Sequence, residues 1–172
     1  MEVARILFVC TGNLCRSPMA EAVARTLADG AGLALRLEFD SAATNNLQGR
    51  ASIDPRARAV LTRAGYKVDT HRARRVTPRD IAANDLVLAM DAVHLDALRD
   101  AYGEEHGHKL RLFLDFAPGC EGRDVPDPYF GDLGGFDRVL ALCEAGVRGL
   151  LAAAPGLFSD AGRSGHRDPC AG

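Results

Sequence analysis

Ile6-Leu7-Phe8-Val9-Cys10-Thr11-Gly12-Asn13-Leu14-Cys15-Arg16-Ser17-Pro18 changes character twice along its length. Ile6 to Val9 is a continuous apolar run of β-formers, the pattern of a strand buried on both faces of a parallel sheet. From Pro18 through Met19, Ala20, Glu21, Ala22, Val23 and Ala24 to Leu27, the chain reads as a helix with proline in its first turn. A loop between such elements turns its backbone N–H groups inward, and the helix dipole adds positive potential at the same place. That is an anion cradle. A cysteine at its edge is expected to have its thiol pKa drawn from about 8.5 toward roughly 3.5–7.5. Arg16 supplies a planar fork for two anion oxygens. Gly12 and Asn13 are expected to supply the left-handed backbone of the loop, and Ser17 a hydroxyl donor. A cysteine that ends an apolar strand is often only a small buried hydrophobe, and a bare C-x5-R spacing arises by chance. The strand–loop–helix setting weighs against both. The other glycine-rich anion loops, G-x-x-x-x-G-K-[ST] and G-x-G-x-x-G, are absent after this strand. The stretch therefore reads as a nucleophilic thiolate aimed at an anion held in the loop.

Outward from this stretch, strands and helices alternate. Expected strands are 5–10, 34–41 (ending at Ser41), 86–90 and 110–113. Expected helices are 18–29, 55–64 (stopped by Gly65), a short one opened by Thr77-Pro78, one begun by Asp91, and 134–153. The last carries Phe136, Val139, Leu140, Leu142, Cys143, Val147, Leu150 and Leu151 along one broad face. The segment from Gly119 to Gly135 is a long, turn-rich connection. The alternation predicts an α/β fold: a doubly wound, four-stranded parallel sheet with helices on both faces and a phosphate-binding loop after strand one. The ligand site belongs at the carboxyl ends of the strands. Residues 1–158 read as one domain, and 159–172 as a disordered tail rich in Gly, Ser and charge.

The whole chain has 172 residues and a net charge of -2, so nothing points to nucleic acid. The N-terminal apolar run is too short for a signal peptide, and no stretch is expected to reach membrane-spanning length. Five cysteines, at 10, 15, 120, 143 and 170, form neither a disulfide framework nor a CxxC zinc pattern. The expected compartment is a reducing cytoplasm. His94, His106, His108 and His166 show no ligand spacing, so no metal and no cofactor are expected.

A second chemical element is Val125-Pro126-Asp127-Pro128-Tyr129-Phe130-Gly131. A carboxylic acid on a loop over the cradle can protonate a departing oxygen and later activate water. Residue chemistry alone leaves Asp127 equally a general acid or a turn residue, since Asp-Pro is a common turn. Asp124 is a weaker rival. The basic cluster His71-Arg72-Ala73-Arg74-Arg75 reads as a solvated face that could attract an acidic partner.

The loop and the late Asp-Pro-Tyr together resemble the low-molecular-weight protein tyrosine phosphatase family. The resemblance continues through Asp40-Ser41-Ala42-Ala43-Thr44, Asp54-Pro55-Arg56, His71-Arg72-Ala73-Arg74 and Met90-Asp91, and covers about residues 4–153. It implies a protein-tyrosine phosphatase that hydrolyses phosphotyrosine monoesters through a phosphocysteine. Cys10 would be the nucleophile, Arg16 the oxyanion ligand and Asp127 the general acid. Thr11, Gly12, Asn13, Leu14, Cys15, Arg16 and Ser17 would bind phosphate, with Ser17 donating to the thiolate. Ser41 and His71 would support the loop. Tyr129 would wall the substrate cleft, with Phe130 either a second wall or core. Relatives usually carry Trp or Tyr at the position of Leu47, so this cleft has one aromatic wall fewer. Relatives that resemble arginine phosphatases have Thr at the position of Leu14, so a large apolar residue there favours phosphotyrosine. Cys15, inside the loop, is expected to capture an oxidised Cys10 as a disulfide. The implied partner is a phosphotyrosine-containing protein, a tyrosine kinase among the candidates, met by a monomer with neither nucleic acid nor membrane involved. Two alternatives share parts of this pattern. An arsenate reductase of the same fold would need a close pair of cysteines well downstream, which this chain lacks. A phosphotyrosine-binding module without turnover would not need Cys10, Arg16 and Asp127 together.

Overall fold

Ile6, Leu7, Phe8 and Val9 are fully buried in strand β1 (Ala4–Cys10), the centre of the sheet in a computed structural model that describes residues 2–45, 47 and 49–159. Strand β2 (Leu37–Ala43) lies on one side of β1. Strands β3 (Leu86–Ala89) and β4 (Leu110–Leu112) follow on the other, giving the order β2-β1-β3-β4 with every pairing parallel. A central strand has no face left for water, which is why its apolar run is unbroken. Ile6, Phe8 and Cys10 pack into one core layer, and Leu7 and Val9 into the other.

Among the described residues, five α-helices cover the two faces. Helices α1 (Arg16–Gly30), α2 (Pro55–Arg63) and α5 (Leu133–Leu157) pack onto the Phe8 face through Met19, Val23, Leu61, Phe136 and Val139. Helices α3 (Pro78–Ala83) and α4 (Ala92–His106) cover the Leu7 face through Ile81, Leu95 and Leu98. The chain therefore moves from one face to the other between β1 and β3, and the carboxyl ends of these two strands open onto a common edge. Cys10 ends β1 and Asp91 follows β3 at that edge.

Caps sort the helices. Asp54, Thr77, Asp91 and Asp132 each accept a backbone N–H at the start of α2, α3, α4 and α5. Helix α1 alone among the described α-helices begins without a side-chain cap; its cap residue is Cys15. The orphan N–H groups of its first turn are thus not taken up by a capping side chain, and they sit at the loop that follows Cys10.

Several boundaries differ from the sequence expectations. Helix α1 starts at Arg16, ahead of Pro18, because a proline in the first turn gives up an N–H that has no helical partner there. Strand β2 starts later and runs past Ser41 to Ala43, held by Thr44 N–H donating to Cys10 O. Phe113 leaves β4 for a 3-10 turn, Phe113–Phe116. Helix α5 continues through Pro155 to Leu157 and, by length and composition, is long enough to cross a membrane, contrary to expectation. Its inner face packs into the core: Phe136, Val139, Cys143, Val147 and Leu150 are fully buried. Helix α5 also rests directly on the 3-10 turn. A Cβ on Gly149 would lie 1.7 Å from Phe116 O, and one on Gly146 would lie 2.4 Å from the Phe113 ring. The expected tail falls on residues 160–172, outside the described residues apart from Ser159.

Candidate active site

After Cys10 the chain turns through Thr11 to Cys15 and enters α1. Asn13 takes φ 58°, the only described non-glycine residue with positive φ. Asparagine tolerates that region better than other side chains. Gly12 does not adopt a left-handed conformation, and a Cβ there would meet only Leu14 at 3.8 Å. The expectation for Gly12 is therefore corrected: the turn is made at Asn13, and neither backbone conformation nor protein packing demands glycine at 12.

The strained residue is pinned on all sides. Asn13 Nδ2 donates to Ser17 Oγ and to Ser41 Oγ, each at 2.9 Å. Asn13 Oδ1 accepts from the Arg74 backbone at 3.2 Å, and Asn13 O accepts from His71 Nε2 at 2.7 Å. Ser41 in turn donates to Glu21 Oε2 at 2.6 Å. Burial raises the Glu21 carboxyl, against the opposing pull of Ser41 and Arg25. Ser17 Oγ lies 2.9 Å from Cys10 Sγ. Since it already accepts from Asn13, its own proton is directed at the sulfur, and the hydroxyl is set to stabilise a thiolate.

Arg16 is 4% exposed, an unusual depth for arginine unless it is paired. Nη1 donates to Asp91 Oδ2 at 2.7 Å and to Val125 O at 3.0 Å. Nη2 reaches Thr11 Oγ1 at 3.4 Å and lies 3.7 Å from Asp127 Oδ2. One nitrogen is thus anchored, and the edge made by Nη2 and Nε, which has no other strong partner among the described residues, remains for an anion. Burial works to raise the Asp91 carboxyl, but hydrogen bonds from His94 and Arg16 outweigh it and hold the group well below the usual carboxylate range. Asp91 therefore stays ionised as the counter-charge that orients Arg16.

Asp127 sits half-exposed on the long loop, its Oδ1 accepting from Tyr129 N at 3.1 Å. Asp124 faces elsewhere and accepts from Ala92 N at 2.9 Å, which ties the same loop to α4. Val125 anchors the loop between them, donating to Met90 O at 2.8 Å while its carbonyl takes Arg16. The rings of Tyr129 and Phe130 meet edge to face at 4.9 Å. Phe130 is 92% exposed, so it is not core. Leu47 is 83% exposed and packs into neither core layer. Cys15 is buried, and its thiol is pushed up to about 12, by burial first and then by Asp54.

Four residues at the site carry more than their sequence positions suggested. Asp91 and Glu21 anchor Arg16 and Ser41. His94 Nε2 lies 2.7 Å from Thr11 Oγ1. Arg56, held by two bonds to Asp54, places its guanidinium 5.5 Å from the Tyr129 ring and 4.7 Å from that of Phe136. Asp91 could have been found as the polar residue that ends the β3 run, as Cys10 ends that of β1. A cavity of about 950 Å³ runs along the outer edge of β2 between Arg25, Phe39 and Lys67, and no cysteine is among the described residues that line it.

Comparison with known proteins agrees with this geometry. The model of the family described as low molecular weight phosphotyrosine protein phosphatase matches residues 5–155. A low molecular weight protein-tyrosine-phosphatase of Streptomyces coelicolor is 47% identical over 152 residues, spanning 87% of this chain and 92% of the relative. The crystal structure of YfkJ from Bacillus subtilis superposes with a TM-score of 0.86 at 34% identity, covering 92% of this chain and 99% of its own. A protein tyrosine phosphatase from Entamoeba histolytica, crystallised with Hepes in its active site, gives 0.85 at 33% identity, covering 89% and 97%.

Proposed function

This chain belongs to the low molecular weight phosphotyrosine protein phosphatase family; it is a phosphoric monoester hydrolase, and we propose that Cys10 is its nucleophile, Arg16 its oxyanion fork and Asp127 its general acid. The thiolate of Cys10 attacks phosphorus as the bond to the tyrosine oxygen breaks. Asp127, protonated, gives its proton to that departing oxygen, leaving phosphocysteine and a free tyrosine. Water then attacks phosphorus, Asp127 takes its proton, and the S–P bond breaks to release phosphate and regenerate the thiolate. Charge on the transferring group falls on oxygens facing the Arg16 edge and the uncapped N–H groups of α1, donors that need no reorganisation during the reaction.

The observation that carries this reading is the posture of Arg16. One nitrogen is fixed by Asp91 and Val125, while the other turns toward Asp127 above the loop that holds Cys10. Ser17 serves the thiolate, and Ser41 and His71 hold the loop through Asn13. Thr11, Gly12, Leu14 and Cys15 complete the phosphate loop. Tyr129 and Phe130 line one side of a cleft whose other side carries Leu47. The substrate is a phosphotyrosine-containing protein, a tyrosine kinase among the candidates. The enzyme acts as a cytoplasmic monomer, a compartment that suits its four free thiols among the described residues. Replacing Cys10 by Ser should abolish turnover of p-nitrophenyl phosphate while orthovanadate still binds. A Cys10→Ser enzyme with near-normal rates would end the proposal.

Cys15 gives the same loop a protective role. Peroxide oxidises Cys10 to a sulfenic acid; Cys15 then loses its proton and displaces water, forming a disulfide that a dithiol reduces. Because burial keeps Cys15 a thiol at neutral pH, capture should be slow and should quicken as pH rises. After peroxide, dithiothreitol should restore the native enzyme fully and Cys15→Ala poorly. Equal recovery would leave Cys15 a packing residue.

A further inference from the structure

Four side chains close a ring around the anion cradle. Arg16 Nη1 donates to Asp91 Oδ2 at 2.7 Å. Asp91 Oδ1 lies 3.0 Å from His94 Nδ1 and accepts from the His94 backbone at 2.9 Å. His94 Nε2 meets Thr11 Oγ1 at 2.7 Å, and Thr11 Oγ1 returns to Arg16 Nη2 at 3.4 Å. His94 is 2% exposed, and its Nδ1, although close to Asp91, has no well-aligned hydrogen-bond partner. Its well-aligned side-chain bond is the one to Thr11, while Nδ1 meets the Asp91 carboxylate off-axis.

We infer that His94 is a positioning residue of the phosphate loop: its Nε2 accepts a hydrogen bond from the Thr11 hydroxyl, so that Thr11 presents a lone pair to Arg16 and keeps the guanidinium edge turned toward the bound oxyanion. The carboxylate of Asp91 beside Nδ1 selects the tautomer with its proton on Nδ1, which leaves Nε2 as the acceptor. Thr11 must then donate to His94. With its one proton used, its oxygen faces Arg16 as an acceptor. Arg16 is thereby held at both ends, Nη1 by Asp91 and Nη2 by Thr11, and one carboxylate governs both holds. Without His94 the Thr11 hydroxyl rotates freely, and Nη2 is no longer opposed by a fixed lone pair. The fork then samples other orientations, and an anion must order it on binding. The inference rests on the phosphatase reading, since it concerns the same fork.

The test is a double-mutant cycle read by orthovanadate inhibition and by KM and kcat for p-nitrophenyl phosphate. His94→Leu removes the acceptor while keeping an apolar body in the buried site. Thr11→Val removes the hydroxyl at an exposed position where folding is little at risk. Each should weaken orthovanadate binding and raise KM by about tenfold, the scale of a lost hydrogen bond to a charged network, with a smaller fall in kcat. In the Thr11→Val background, His94→Leu should add almost nothing to either loss. His94→Gln, whose amide can reach Thr11, should recover part of the orthovanadate affinity. If His94→Leu weakens orthovanadate equally with and without the Thr11 hydroxyl, His94 is a packing residue and the inference falls. If His94→Leu does not fold, the comparison of Thr11→Val with His94→Gln decides: a normal orthovanadate affinity in Thr11→Val overturns the inference. Failure of the native enzyme to hydrolyse p-nitrophenyl phosphate would instead overturn the phosphatase reading itself.

Discussion

At Asp127 and Asp124, two carboxylates three positions apart do unlike things. Asp127 Oδ2 lies 3.7 Å from Arg16, half-exposed at the mouth of the site, while Asp124 is spent on the N-terminus of α4. Each accepts one backbone N–H, so what separates them is place: Asp127 lies against the Arg16 fork, Asp124 against the start of α4. Asp127→Asn should therefore slow turnover by about 10²–10⁴-fold, the usual range for a lost general acid. The loss should be least for p-nitrophenyl phosphate, whose leaving group is already acidic, and greatest for phosphotyrosine peptides. Asp124→Asn should leave the dependence on leaving group as it is, at a small cost in stability. Steady-state rates across a series of aryl phosphates separate the two; a steeper dependence in Asp124→Asn than in Asp127→Asn would reverse the assignment. Cys15 shows the same selectivity by environment. It shares a loop with Cys10, but burial and Asp54 hold it as a thiol.

Among the elements, the strands and helices follow closely from apolar periodicity and from Pro and Gly punctuation, because both report local backbone preference. Their ends follow less well, since ends are decided by tertiary partners. Strand β2 reaches Ala43 because Val76 and Arg74 pair with it, a contact between segments far apart in sequence. Helix α5 outruns its expected end at 153 because its apolar face continues to Ala154 and Leu157 against the core. The glycines of α5 mark another tertiary constraint. At Gly149 an added Cβ collides with the Phe116 carbonyl, a backbone atom that cannot rotate away. Overpacking of this kind costs about 1–3 kcal/mol, which lowers Tm by on the order of 5 °C in a domain of this size. Gly156, near the end of the same helix, has nothing within 4 Å of its Cβ position. Thermal unfolding of Gly149→Ala and Gly156→Ala should show a clear loss in the first and little change or a small gain in the second. Equal melting temperatures would mean that α5 does not rest on the 3-10 turn as described.

On the scale of the whole molecule, the order of strands gathers the chemistry. Placing β1 between β2 and β3 brings Cys10 at one strand end beside Asp91 after another, and the loop carrying Val125 and Asp127 closes over both. That much was legible, because a βα alternation and a ligand site at the carboxyl ends of parallel strands are general consequences of topology. What was not legible are the links that cross the fold without a local signature. Thr11 and His94 are 83 positions apart, and neither spacing nor composition marks them as partners. Glu21 looks like any exposed helical glutamate until Ser41 is seen to donate to it. Leu47, which the family resemblance marks as a cleft position, stands in solvent as Phe130 does, with no packing signal in the sequence to mark either.

The geometry of the loop implies a covalent intermediate, and its capture is the sharpest check available. Asp127→Asn, mixed rapidly with excess p-nitrophenyl phosphate and quenched in acid, should show a burst of about one p-nitrophenol per active site, since hydrolysis of the phosphocysteine lacks its base. Proteolysis and mass spectrometry of the quenched protein should find a single phosphoryl group on Cys10, absent when Cys10 is also replaced by Ser. Phosphate found instead on Cys15 or on a histidine, or a burst that persists without the Cys10 thiol, would contradict the mechanism.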